Sequence, residues 1–150
     1  MKRVPELRAL SDHHHTGLVL ARRCREAGRP GSSVSPAALW RQVLEAFSSQ
    51  LEPHFQIEEQ YLLPGLEAIG EASLANQIRE DHRSLRTLRD SEPVDRALLA
   101  RFGERLESHI RYEERHVFEP TQDRLPPSTL TAIAVACDAI SRVYAASPEV

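Results

Sequence analysis

The chain has 150 residues, 41% of them hydrophobic and 27% charged, with 19 basic and 22 acidic residues and a formal charge of −3. That length and balance fit one globular domain spanning residues 1–150, and no apolar run approaches the roughly 18 residues that cross a bilayer. No block of like charge is long enough to grip nucleic acid, and the basic start MKRVPELRAL is followed by no apolar stretch that would make a secretory signal, so the cytoplasm is the expected compartment. Cys24 and Cys137 are far apart and form no CxxC pattern, which argues against a disulfide framework or a thiolate zinc site.

Along the chain, Leu7, Leu10, His14, Leu18 and Ala21 recur at the three-and-four spacing of an amphipathic helix, predicted from about Pro5 to Ala27. The segment Gly28 to Ser33 reads as a loop. Ser35 followed by Pro36 is a hydroxyl cap with proline at the first helical position, opening a second helix to about Ala68. Pro53 and Pro64 fall inside it, and each should kink or break it because proline lacks the backbone donor and crowds the preceding turn.

Gly70 closes that segment, and Leu74, Ile78, His82, Leu85 and Leu88 mark a third helix from about Glu71 to Arg89. A fourth stripe runs from Ala97 through Phe102, Leu106, His109 and Glu113 to Pro120, and a short fifth helix follows from Ser128 to Tyr144. Period-two alternation is missing, so the fold class is all-α. The short connections predict an antiparallel up-down-up-down four-helix bundle over about 5–120, with the C-terminal helix added to it. Trp40, Phe47 and the fifth helix can serve either the core or the face of a homodimer.

An internal repeat carries the chemistry. Residues 51–63, LEPHFQIEEQYLL, overlay residues 106–118, LESHIRYEERHVF, without a gap. Each copy sets a histidine four residues before a glutamate, His54 with Glu58 and His109 with Glu113, so both side chains leave one helical face a turn apart. The other two helices each place one histidine, His14 and His82, in an apolar stripe. Burying imidazoles and carboxylates costs several kcal/mol per ionised group unless something offsets it. Mixed nitrogen and oxygen donors on facing helices suit divalent transition metals, and the ligand set splits into two equal halves with carboxylates to bridge them, so a dinuclear site is expected.

Each feature also has a plainer meaning. One His-x3-Glu alone is usually a surface pair; two in register, with two stripe histidines, favour metal. His13 and His15 point to other faces and are expected in solvent. Glu59 and Glu114 are rotated about 100° from the ligand positions and are expected on the outer face or supporting the ligands. His116, three residues after Glu113 in a Glu-x-x-His arrangement, is expected to support the site or its access channel. Tyr61, its counterpart in the first copy, is expected to pack.

The stretches LSDHHHTGLVLARR, HFQIEEQYLLP, EDHRSLRTL and HIRYEERHVF, in that order, resemble the hemerythrin-like, or HHE cation-binding, domain family over about residues 7–120. The resemblance implies a non-haem di-iron centre with oxo or hydroxo and carboxylate bridges, held by His14, His54, Glu58, His82, His109 and Glu113. Oxygen-carrying members have a His-x3-His pair on the third helix. The positions four away from His82 are instead Ile78 and Arg86, so the chain is more similar to six-ligand members, for which binding, sensing or reaction with dioxygen, peroxide or nitric oxide is implied. A ferroxidase or peroxidase enzyme, with His116 moving protons, and a metal-free interaction module are the competing expectations.

Overall fold

A computed structural model describes residues 2–146 of the chain. Helix α1 spans Pro5–Ala27, α2 is one rod over residues 36–68, α3 spans Ala72–Arg89, α4 runs over residues 96–124 and α5 spans Pro127–Ala146. Among the described residues there is no strand, and no helix is long and apolar enough to cross a membrane.

The local signals act as the residue chemistry dictates. Ser35 Oγ accepts from the Ala38 backbone N–H at 3.3 Å, and Asp95 Oδ1 accepts from Leu98 N–H at 2.9 Å, so both helices that carry the repeat begin on a side-chain cap. Gly70, at φ 86°, turns the chain into the left-handed region while Glu71 N–H closes onto the Leu66 carbonyl at 2.8 Å.

The prolines of α2 neither break nor sharply end it. Wide π-turns over Phe47–Leu51 and Glu58–Leu62 absorb the disturbance, and Pro53 and Pro64 each stand second in the α-segment that restarts beyond, directly after a residue, Glu52 or Leu63, whose N–H closes the π-turn on the Phe47 or Glu58 carbonyl. The same device operates in α4: a π-turn over Glu113–Val117 precedes Pro120, so the helix runs on to Arg124 instead of closing at the proline. Helix α5 is 20 residues long, comparable to the bundle helices.

Contacts between helices run in opposite senses along each pair. His13 meets His54 and Arg23 meets Gln42 across α1 and α2; Glu59 meets His82 and Glu67 meets Arg79 across α2 and α3. Ala21 meets Gly103 and Gly28 meets Ala100 across α1 and α4. These antiparallel pairings form the four-helix bundle. Helices α1 and α2 pack sparsely on one another, and α5 lies along both.

The apolar interior is in two parts. One, with Trp40, Phe47, Phe55, Leu85 and Phe102, fills the end near the α1–α2 loop; Trp40 and Phe47 thus belong to the core. The other, with Leu10, Leu62, Ile78, Val117, Phe118, Ile133 and Cys137, fills the opposite end and includes the buried face of α5. On α1 and α3 the boundary between the two falls at the histidine identified in the sequence, and on α2 and α4 it falls between that histidine and the glutamate four residues on.

The α1–α4 seam needs glycine at 103, where a Cβ would stand 2.6 Å from the Ala21 carbonyl oxygen and 3.0 Å from the Arg25 nitrogen. Those are backbone atoms that cannot swing aside. Gly103→Ala is therefore expected to destabilise by about 1–2 kcal/mol, the overpacking cost exceeding the helix propensity that alanine gains. Thermal denaturation should show melting lowered by several degrees.

Candidate metal centre

Six side chains meet at the boundary between the two apolar clusters: His14 from α1, His54 and Glu58 from α2, His82 from α3, and His109 and Glu113 from α4. All are buried, and Glu58, His82 and Glu113 have no exposure at all. Their ligand atoms fall into two overlapping groups, His14, His54, Glu58 and Glu113 in one and Glu58, His82, His109 and Glu113 in the other, each within 4.8 Å. Both glutamates belong to both groups.

The inward atoms are close without being paired. His54 Nε2 lies 2.8 Å from Glu58 Oε1, His82 Nε2 3.0 Å from Glu58 Oε2, His14 Nε2 3.0 Å from Glu113 Oε2, and His109 Nε2 3.3 Å from Glu113 Oε1. None of these four nitrogens and four oxygens has a hydrogen-bond partner in proper alignment. Lone pairs converging on a shared centre, rather than donors meeting acceptors, is the arrangement of a coordination shell. Orphaned buried polar atoms are otherwise rare and costly, so the donor set fits bound metal cations.

The outward nitrogens are all satisfied. His14 Nδ1 lies 2.9 Å from Glu114 Oε1 and His82 Nδ1 lies 2.8 Å from Glu59 Oε1. These are the glutamates that directly follow Glu113 and Glu58, and they support histidines on neighbouring helices. Each is anchored by a guanidinium: Arg3 reaches Glu114 at 2.6 Å and Arg86 reaches Glu59 at 2.7 Å while also clasping Glu52. Each arginine also stands over a phenylalanine that stacks on the same histidine, Arg3 on Phe118 beside His14 and Arg86 on Phe55 beside His82. Arg86, four residues after His82, thus acts as a clamp on Glu59.

Two supporting residues escaped the sequence reading. Asp81 Oδ2 lies 3.3 Å from His109 Nδ1, and His13 Nδ1 lies 3.2 Å from His54 Nδ1. His13 was expected in solvent but is half-buried against the site. The available signal was position: Asp81 and His13 each directly precede a stripe histidine. His15 is exposed, as expected. His116 is exposed beside Tyr112 and lines neither site nor cavity. It follows Glu113 through the π-turn, where each residue advances less around the axis than in an α-turn, so three steps leave it farther from the ligand face. Tyr61 packs against the apolar cluster.

Electrostatics of the metal-free site follow from burial set against these contacts. Burial disfavours charge on His14, but the close carboxylates of Glu113 and Glu114 outweigh it and raise the pKa to about 9. His82 is likewise raised to about 9 by Glu58 and Glu59 against burial. Burial opposes ionisation of Glu58 too, yet His54 and His82 hold it well below the carboxylate range. Glu59, bonded first to His82 and then to Arg86, is lowered to about 2. Burial, reinforced by the charges of His54 and His14, lowers His13 to about 4.

A family model described as "Hemerythrin HHE cation binding domain" matches residues 6–120, and the chain belongs to that family. No curated protein and no solved structure is a significant match. The family identity and the buried histidine–glutamate clusters define a metal-binding helical protein.

Without metal, the ion pairs of His14 and His82 stabilise fully below the unfolded value of 6.5, and that contribution is lost as the pH rises through about 9. In chelator, the melting temperature is expected to fall across this interval. In the metal-loaded protein the imidazoles carry metal in place of protons, and the fall should be largely absent. A flat metal-free profile in circular-dichroism melts would contradict the assigned pairings.

Proposed function

We propose that the chain binds two iron ions and that the loaded centre binds, senses or reacts with dioxygen, peroxide or nitric oxide. The carrying observation is the set of eight inward-facing, unpaired ligand atoms in two groups that share Glu58 and Glu113. Four imidazoles and two carboxylates form a borderline nitrogen–oxygen donor set suited to iron, and the shared glutamates suit bridging between two cations. Two irons held here would supply redox chemistry and open positions for a small ligand.

The chain's own residues would do the rest. His14, His54, His82 and His109 present Nε2 inward because their Nδ1 atoms are engaged by Glu114, His13, Glu59 and Asp81. This fixes ring orientation before any cation arrives. A cavity of about 320 Å³ opens between α1 and α2, with Val19, Leu20, Leu51 and Ile110 among its apolar walls and His14, His54 and His109 in its lining. That volume exceeds what a diatomic molecule or peroxide needs. Its apolar walls favour uncharged ligands over hydrated ions. The free, buried Cys24 and Cys137, with thiol pKa values pushed to about 12 by burial, are compatible with the reducing cytoplasm proposed for the protein.

Anaerobic reconstitution with ferrous iron, followed by metal analysis and optical spectra before and after oxygen, tests the reading. About two irons per chain and an oxygen-dependent absorption change are expected; less than about one metal per chain overturns it. The loaded protein should also melt well above the chelated one, because binding to the folded state alone contributes about 4 kcal/mol at a thousandfold excess over Kd.

A further inference from the structure

The inner face of the centre is close to twofold symmetric, α1 with α2 matching α3 with α4, and so is most of its support. His14 and His82 each rest on a glutamate held by an arginine and stack on a phenylalanine under that arginine. These contributions match between the two halves. The remaining two histidines differ: His109 rests on the carboxylate of Asp81, which Gln77 holds at 3.0 Å and Arg105 approaches at 3.8 Å, whereas His54 rests on the imidazole of His13.

With Nε2 of His54 turned inward, its Nδ1–H donates to the Nδ1 lone pair of His13 at 3.2 Å. His13 Nε2–H then donates to Ser141 Oγ at 3.3 Å, and Ser141 Oγ–H donates to the Cys137 carbonyl at 3.1 Å. Every member of this chain is satisfied, and the acceptor facing His54 carries no negative charge. A carboxylate behind an imidazole raises its basicity, and losing such a partner typically weakens metal binding by about 10–100-fold. The cavity leans the same way: it is lined by both His14 and His54, with His13, but by His109 alone of the other pair.

Building on the metal-binding role proposed above, we infer that the two cation positions are unequal. The His82/His109 position is the tighter and fills first; the His14/His54 position is the weaker, faces the cavity, and owes the difference to His13. His13 is a positioning residue that acts through His54.

The test follows histidine-ring nitrogen resonances of ¹⁵N-labelled metal-free protein during titration with zinc, chosen because it is diamagnetic. Up to one equivalent, the His82 and His109 rings should take on the metal-bound signature, with at least about a tenfold preference over His14 and His54, which respond in the second equivalent. In His13→Asp a carboxylate oxygen falls where Nδ1 stands, and the first equivalent should divide between the positions. Asp81→Asn, which keeps an acceptor but removes its charge, should reduce or reverse the preference and serves if His13→Asp fails to fold. Earlier filling of His14 and His54, or an order unchanged in Asp81→Asn or in folded His13→Asp, overturns the inference while leaving metal binding intact. No ring response at any zinc concentration would overturn the metal-binding reading together with it.

Discussion

Six polar side chains are buried at the middle of an otherwise apolar bundle, and most of the structure around them reduces the resulting energetic cost. A lone carboxylate or imidazolium there would cost several kcal/mol. The protein meets this from both sides. Facing inward, nitrogens and oxygens alternate so that each sits close to its opposite; facing outward, each imidazole has an acceptor, and three of the four acceptors are carboxylates tied in turn to arginine, glutamine or serine. The two apolar clusters above and below supply the folding energy that such a layer cannot, which explains why the histidines stand at the cluster boundaries.

The economy of the site comes from sequence neighbours serving the two ring nitrogens of one histidine. Glu58 faces the centre while Glu59 reaches back to α3; Glu113 faces the centre while Glu114 reaches back to α1. Two adjacent glutamates thus flank one imidazole of the neighbouring helix, Glu58 and Glu59 at Nε2 and Nδ1 of His82, Glu113 and Glu114 at Nε2 and Nδ1 of His14, because consecutive residues on a helix lie about 100° apart. The π-turns begin at the ligand glutamates in both copies, with Leu63 N–H closing on the Glu58 carbonyl and Phe118 N–H on that of Glu113. The repeat seen in the sequence therefore extends to a shared local backbone distortion, of the kind that often marks functional positions in helices.

Much of this was legible in the residues. Helix number and the meeting of six side chains follow from three-and-four periodicity and from the gapless repeat, both properties of a regular helix, and the capped start at Ser35 follows from its hydroxyl before Pro36; the cap at Asp95 was not read. What periodicity could not carry was anything that depends on departure from it. His116 is misplaced by α-helical counting because it follows a π-turn, and Pro120 does not terminate α4 for the same reason. His13 and Asp81 were missed because their roles depend on the packing of α1 on α2 and α3 on α4, and a polar residue beside a stripe reads as solvated until its neighbour is known.

The asymmetry at His13 has a physical origin in the seam that contains it. Asp81 lies where α3 and α4 pack together, and a carboxylate there has Gln77 and Arg105 for company. The α1–α2 seam is looser, opens into an apolar cavity, and among the described residues gives position 13 the hydroxyl of Ser141 as its hydrogen-bond partner beyond His54. An anion at that place would be desolvated with little in return, whereas an imidazole accepts one hydrogen bond and donates the other while uncharged. The sparse helix contact that opens the cavity is thus also what disfavours a carboxylate behind His54. Access to the centre and the weaker hold inferred for one cation position would then have the same structural cause.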